Sequence, residues 1–127
     1  MARILIIDDE PELRGMMCQL LRNESHTVTE TDDGRRAMTW LTHEPFDLVI
    51  TDILMPEMDG LEIIQAIHRM KPALPILAVS GGGRSPAGLY LAVADKLGAD
   101  QVLGKPFAPA KFFAVVRSLL GGIPEPN

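Results

Sequence analysis

Polar and apolar positions follow two alternating patterns along the chain. Continuous, mainly apolar runs, typical of strands that are buried on both faces, occur at Ile4–Ile7, Leu48–Thr51 and Ile76–Val79. Between such runs, apolar residues recur at intervals of three and four positions, which is the pattern of amphipathic helices. The alternation repeats five times, with predicted strands at residues 4–7, 27–31, 46–51, 76–79 and 101–104, each followed by a predicted helix.

The predicted helices carry start signals as well as apolar stripes. Pro11, Pro86 and Pro109 suit first helical turns, where no backbone donor is needed. Asp32 or Asp33 can cap the second helix. The residues predicted to face inward are Leu13, Met16, Met17, Leu20 and Leu21 in the first helix, Ala37, Trp40 and Leu41 in the second, Leu61, Ile64, Ile67 and Met70 in the third, Tyr90, Val93, Ala94 and Leu97 in the fourth, and Phe112, Phe113, Val116, Leu119 and Leu120 in the fifth.

Charged residues follow three of the predicted strands directly. Asp8 and Asp9 come after the first strand, Asp52 after the third and Lys105 after the fifth. Repeated strand–helix alternation predicts a parallel sheet with helices on both faces, and ligands of such sheets bind beyond the carboxyl ends of the strands. If these strands are neighbours, one pocket gathers three carboxylates and an ammonium, a combination suited to a hard divalent cation and a phosphoryl group.

Composition narrows the class of protein. The 127 residues, 46% of them hydrophobic, fit one domain, and the net charge of −5 gives no general attraction to nucleic acid or to anionic membranes. Cys18 is the only cysteine, which excludes an intrachain disulfide and a cysteine-based zinc cluster. No apolar run approaches the length of a membrane span. We therefore expect a cytoplasmic protein without direct nucleic-acid or membrane partners.

Each candidate residue also has an ordinary structural interpretation. An acidic pair such as Asp8-Asp9 is most often a solvated turn with a helix cap, and a strand-end lysine such as Lys105 is usually solvated. Ser80, which precedes three glycines, is as readily a turn residue as a functional hydroxyl. Asp52 favours the functional interpretation, because an acid that ends a buried strand is costly unless it is paired or bound to metal.

Taken together, these residues resemble a bacterial response-regulator receiver domain over about residues 2–120. The signals that match are Asp8-Asp9, Asp52, the Met-Pro-x-Met-Asp-Gly loop from Met55 to Gly60, Ser80 and Lys105-Pro106-Phe107. The resemblance implies an α/β fold, a flavodoxin-like (βα)5 three-layer sandwich with a parallel five-stranded sheet of order 2-1-3-4-5. We expect a receiver domain at residues 1–120 and a short C-terminal tail at residues 121–127.

The resemblance also implies a function for the acidic residues. Asp52 would be the phosphoacceptor, taking a phosphoryl group from a phosphohistidine on a histidine kinase or phosphotransfer protein. Mg²⁺ would be bound directly by Asp9, Asp52 and the backbone carbonyl of Leu54, and by Asp8 through water. The chain would then be a phosphorylated signalling module, not an enzyme with a separate substrate, although it would promote its own phosphorylation and autodephosphorylation.

Two further residues would contact the phosphoryl group. Lys105, presented by a cis bond before Pro106, would bind one phosphoryl oxygen, and the hydroxyl of Ser80 would donate to another. One departure from the family pattern is Val102, which stands where receivers usually carry an aromatic residue that reports the phosphorylated state. The signal would leave through protein contact at the face formed by Pro86–Leu120, with a target protein, a homodimer or another histidine as the open alternatives.

Three other classes of protein are alternatives to a receiver domain that accepts phosphate. A receiver-like binding module that signals without phosphate gains some support from Val102. A small-molecule phosphatase with an aspartate nucleophile is disfavoured by Leu54, because such enzymes place a second acid at that position. A flavin-binding domain of similar topology is disfavoured because Asp8 and Asp9 would repel the flavin phosphate.

Overall fold

The computed structural model describes residues 2–53, 60–80 and 98–121, apart from the side chains of Leu61 and Ser80. Its strands are β1 (Arg3–Ile7), β2 (Thr27–Thr31), β3 (Leu48–Asp52), β4 (Ile76–Ser80) and β5 (Gln101–Gly104). They form one parallel sheet in the order β2-β1-β3-β4-β5. This order confirms the flavodoxin-like fold predicted from the sequence.

The helices of the described ranges are α1 (Pro11–Asn23), α2 (Gly34–His43), α3 (Gly60–Met70) and α4 (Pro109–Leu119). The helix predicted to begin at Pro86 lies outside the described residues, as does most of the Met55–Gly60 loop. Within the described ranges, no helix has both the length and the apolar character that a membrane span requires.

Alternate residues of the central strands pack on opposite faces of the sheet. Leu5 and Val49 belong to a buried cluster with residues of α2 and α3, whereas Ile4 and Ile50 belong to one with residues of α1 and α4. Every residue of β3 is buried, as expected for a parallel strand covered on both faces. Because all five strands run in the same direction, their carboxyl ends lie at one edge of this three-layer structure.

The start signals that fall on described residues agree with the structure, and the predicted strand boundaries differ from it by at most two residues. α1 and α4 begin at Pro11 and Pro109. Asp33 caps α2, since its side chain accepts a hydrogen bond from the backbone N–H of Arg35 at 2.9 Å. The third strand begins at Leu48, two residues later than predicted.

Two methionines predicted to face inward are exposed to solvent instead. Met16 is 36% exposed and Met70 is 41% exposed. The buried positions of α1 are Met17, Cys18 and Leu21, which place Met16 on the far side of the helix. Met70 is the last residue of α3, so no further turn of this helix extends beyond it.

Candidate functional site

The register of the sheet brings two acidic residues together. Asp8 directly follows β1 and Asp52 ends β3, and these strands pair with Ile7 opposite Thr51. Asp8 is 0% exposed and Asp52 is 2% exposed. Burying a charged carboxylate is costly unless it is paired and hydrogen-bonded. The interpretation of Asp8 as part of a solvated turn is therefore wrong.

Lys105 approaches these acids from the other side of β4. It follows β5, which is two positions from β3 and three from β1 in the sheet, so its side chain extends past the end of β4. Its Nζ lies 3.3 Å from Oδ2 of Asp8, 3.3 Å from Oδ2 of Asp52 and 2.8 Å from Oε1 of Glu10. The lysine side chain is only 9% exposed, so it is not a solvated strand-end residue. The cis bond predicted before Pro106 is present.

Hydrogen bonds within the turn after β1 hold Asp8 in place. The backbone N–H of Glu10 donates to Oδ1 of Asp8 at 2.8 Å, and the backbone N–H of Asp8 donates to the carbonyl of Thr31 at 3.0 Å. Nη1 of Arg14 donates to the carbonyl of Asp8 at 2.8 Å, while its Nε donates to Glu30 on β2 at 3.0 Å. One carboxylate oxygen of Asp8 and its backbone are thus held by hydrogen bonds within the protein.

Burial and pairing act in opposite directions on the proton equilibria of this cluster. Burial raises the pKa of the Asp8 carboxyl, although the N–H of Glu10 and the charge of Lys105 favour its ionised form. Burial alone would lower the pKa of Lys105, but the hydrogen bond to Glu10 and the charges of Asp52, Asp8 and Glu10 outweigh it, and the pKa is raised. Lys105 is therefore a cation at neutral pH, whereas folding makes ionisation of Asp8 less favourable.

The acidic residues fit a divalent cation. Asp8, Glu10 and Asp52 each offer one carboxylate oxygen, and these three oxygens lie within 4.8 Å of one another. Mg²⁺ prefers oxygen ligands and is usually bound through one or two carboxylates together with water. The chemistry of this donor set agrees with the Mg²⁺ predicted from the sequence.

The sequence and the structure differ over which acid joins Asp8 and Asp52. Asp9, the predicted direct ligand, is not part of the three-residue group found among the described residues, and its role stays a prediction. Glu10 belongs to the group and was missed. A signal for it exists in the sequence, because Pro11 at the first helical position makes Glu10 the N-cap, directly at the carboxyl edge of the sheet.

Some predicted site residues fall outside what the structure describes. Leu54 lies outside the described residues, and so does the side chain of Ser80, whose backbone ends β4 opposite Gly104. Only residues 98–120 of the predicted Pro86–Leu120 face are described. Val102 is half-buried and packs against the cluster formed with α2 and α3.

Comparisons with known proteins agree with this geometry. A family model described as the response regulator receiver domain matches residues 4–117. The transcriptional regulatory protein TcrA of Mycobacterium tuberculosis is 34% identical over 131 residues, covering 98% of this chain and 49% of TcrA. The response regulator receiver protein CpdR of Brucella abortus is 36% identical over 112 residues, covering 84% of this chain and 87% of CpdR. The chain thus spans about half the length of several curated relatives, TcrA among them, and most of the length of CpdR.

A solved structure with a bound ligand is also similar. The response regulator protein TrrA from Thermotoga maritima, in complex with Mg²⁺-BeF, is 29% identical with a TM-score of 0.80. The match covers 94% of this chain and 100% of TrrA.

Proposed function

Because the chain belongs to the receiver-domain family of response regulators in two-component systems, we propose that it accepts a phosphoryl group on Asp52. The donor in this proposal is a phosphohistidine on a histidine kinase or a phosphotransfer protein. The receiver domain is a signalling module, and the phosphoryl group would be the signal that it carries.

The observation that carries the proposal is the contact of Lys105 with Asp52 and Asp8. A lysine side chain that extends from β5 across the end of β4, and is 9% exposed, gives up most of its hydration. Such a position is favourable only in the presence of negative charge. The same ammonium lies within reach of a phosphoryl group that joins Asp52, since it is 3.3 Å from Oδ2 of that residue.

The proposed transfer needs little covalent chemistry from the domain. A carboxylate oxygen of Asp52 attacks phosphorus, and the new O–P bond forms as the P–N bond to the donor imidazole breaks and returns its electron pair to the ring nitrogen. Both reactants are anionic, so positioning and charge neutralisation dominate. Lys105 would bind one phosphoryl oxygen, and the hydroxyl of Ser80 would donate to another.

We propose Mg²⁺ as the cofactor, bound directly by Asp9, Asp52 and the backbone carbonyl of Leu54, and by Asp8 through water. When bound, it would supply charge neutralisation between the carboxylates and the phosphoryl oxygens. Two observations support this part of the proposal: the cluster of carboxylate oxygens in the described residues, and the Mg²⁺-BeF complex of TrrA at 29% identity.

The phosphoryl signal would be passed on by protein contact and ended by hydrolysis. Hydrolysis of the acyl phosphate would return the domain to its resting state. The receiver domain would extend over residues 1–120, with a tail at residues 121–127, and would contact a target protein or a second copy through the Pro86–Leu120 face. The proposal includes a cytoplasmic location, where kinase and receiver would meet.

Incubation with acetyl phosphate and MgCl₂, followed by intact-mass and peptide mass spectrometry, tests the proposal. Wild-type protein should gain one phosphoryl group at Asp52, and the gain should be lost in Asp52→Asn and in the presence of a chelator. Asp32→Asn, which alters an exposed acid next to α2, is the matched control and should gain the group normally. A wild-type protein that gains no mass, but still binds a partner, would support the binding-module alternative.

A further inference from the structure

Of the three described carboxylates that contact Lys105, that of Glu10 is both the nearest and the most exposed. Its Oε1 lies 2.8 Å from Nζ, compared with 3.3 Å for the oxygens of Asp8 and Asp52. The Glu10 side chain is 60% exposed, whereas those of Asp8 and Asp52 are 0% and 2% exposed. The Lys105 ammonium therefore lies closer to the exposed carboxylate than to the two buried ones.

The Glu10 carboxylate does not serve its own helix. Glu10 is the N-cap residue of α1, yet its side chain makes no capping hydrogen bond. Short side chains are preferred at this position because they reach the first free N–H groups of the helix. The backbone N–H of Glu10 is bonded to Asp8, while its carboxylate contacts Lys105, 95 positions away in the sequence. The side chain thus contributes to the pocket and not to the start of α1.

Lys105 and a metal ion would compete for the same oxygens. The ammonium lies 3.3 Å from one carboxylate oxygen of Asp8 and of Asp52, the two buried acids that a bound cation would also need. Two cations in a pocket with little solvent repel each other strongly, because the effective dielectric constant is low. When Asp8 and Asp52 interact with the metal, the carboxylate of Glu10 on the solvent side would still pair with the Lys105 ammonium.

We propose that Glu10 is a positioning residue that holds the Lys105 ammonium at the solvent side of the pocket, so that lysine and divalent cation are accommodated together. This inference rests on the Mg²⁺ site of the proposed function. In this inference Glu10 acts on the metal site through Lys105, although its carboxylate oxygen also lies within 4.8 Å of those of Asp8 and Asp52.

The test is a double-mutant cycle on Mg²⁺ affinity in the unphosphorylated protein. MgCl₂ is titrated into wild type, Glu10→Gln, Lys105→Gln and the double variant, and binding is followed by NMR through backbone amide shifts near Asp52. Glu10→Gln should weaken Mg²⁺ binding about tenfold. This is the smallest effect typical of residues that hold a metal site in place without touching the metal. With Lys105→Gln already present, the same substitution should change affinity less than about twofold, because no ammonium remains to be held.

Glu12→Gln is the matched control, since it removes the same charge from an exposed position in the first turn of the same helix. It should change Mg²⁺ affinity less than about twofold. Circular dichroism and cooperative unfolding check that each variant folds. Should Lys105→Gln fail to fold, Lys105→Met, which keeps an unbranched apolar stem, takes its place in the cycle.

The outcomes separate this inference from the proposed function. Equal weakening by Glu10→Gln with and without Lys105 would overturn the inference, because Glu10 would then act on the metal directly. Unchanged Mg²⁺ affinity in Glu10→Gln would overturn it as well, and both results leave the proposed Mg²⁺ site intact. A wild-type protein that binds no Mg²⁺ would instead overturn the proposed cofactor and the inference together.

Discussion

Asp8 lies in the candidate site, and its burial there has a cost in stability. Its carboxylate is wholly buried, and burial raises its pKa above the unfolded value of 3.8. A group with a raised carboxyl pKa is ionised less readily in the folded state than in the unfolded state. At neutral pH, ionised Asp8 therefore lowers the free energy of unfolding, and this penalty disappears only as the pH falls through the folded pKa.

We expect Asp8→Asn to stabilise the metal-free protein. Asparagine keeps an oxygen that accepts the N–H of Glu10 but carries no charge, so the thermal midpoint at neutral pH should rise by about 4 °C, equivalent to roughly 1 kcal/mol. Thermal unfolding in a chelating buffer, followed by circular dichroism, measures this change. A fall in the midpoint would mean that the contact of Asp8 with Lys105 outweighs its burial.

The sequence identified most residues of the candidate site, but it did not show which of their side chains contact each other. Asp8, Asp52 and Lys105 were found because each follows a recognisable strand, and strand ends are encoded locally. The contact between Glu10 and Lys105 joins residues 95 positions apart, and no local pattern reports it. The choice between Asp8 and Asp9 depends on side-chain direction, which the conformation of the turn after β1 sets.

Asp33 caps the start of helix α2, and its contribution to stability can be measured. Asp33 accepts the backbone N–H of Arg35 at 2.9 Å, and Asp33→Ala removes this acceptor. The free energy of unfolding should fall by about 1 kcal/mol, as measured by urea denaturation. Asp32→Ala is the neighbouring control, since Asp32 is exposed and does not cap the helix. Equal losses in both variants would contradict the assignment of Asp33 as the cap.

The entry into β5 depends on a glycine. Gly98 has φ +119°, and a Cβ at this position would lie 2.6 Å from Cγ of His68 on α3. Gly98→Ala should therefore lower the free energy of unfolding by about 2 kcal/mol, through backbone strain and steric conflict together. Urea denaturation measures the loss, with His68→Ala as the control.

The double variant that combines Gly98→Ala with His68→Ala separates the effect of backbone strain from that of steric conflict. His68→Ala should restore only part of the stability that Gly98→Ala removes, because it relieves the steric conflict and leaves the backbone strain. Complete restoration would show that the positive φ costs nothing, and an unchanged stability of Gly98→Ala alone would contradict both causes.

The whole molecule should lose stability in mild acid through His26. Burial lowers the pKa of this histidine from 6.5, and its Nδ1 accepts the backbone N–H of Ala2 at 3.1 Å, which requires an unprotonated nitrogen. At pH values between the pKa of His26 in the folded and in the unfolded protein, the unfolded chain therefore binds more protons than the folded one. Stability is fully present above the unfolded pKa and falls as the pH drops through this window.

His26→Asn should reduce this dependence, because asparagine keeps an acceptor and does not titrate. The difference between urea midpoints at about pH 7.5 and pH 5.5 should be smaller in the variant than in wild type. His43→Asn, at an exposed position of α2, serves as the control. Asp8 acts in the opposite direction in acid, so the comparison between variants, and not the wild-type slope alone, tests the role of His26.

The sequence by itself determined the succession of strands and helices, the burial of the central strands and the edge of the sheet where chemistry would occur. These features follow from short-range periodicity and from residues next to strand ends, which are properties of neighbouring positions. The order 2-1-3-4-5 came from family resemblance, since periodicity does not state which strands pair.

Only the tertiary structure decided which side chains meet. The pairing of β1 with β3 placed Asp8 beside Asp52, and the sheet order let Lys105 reach both across β4. It also showed that the carboxylate of Glu10 contacts Lys105. Distances between residues far apart in sequence depend on the register and packing of several elements at once, and no single segment of the chain contains that information.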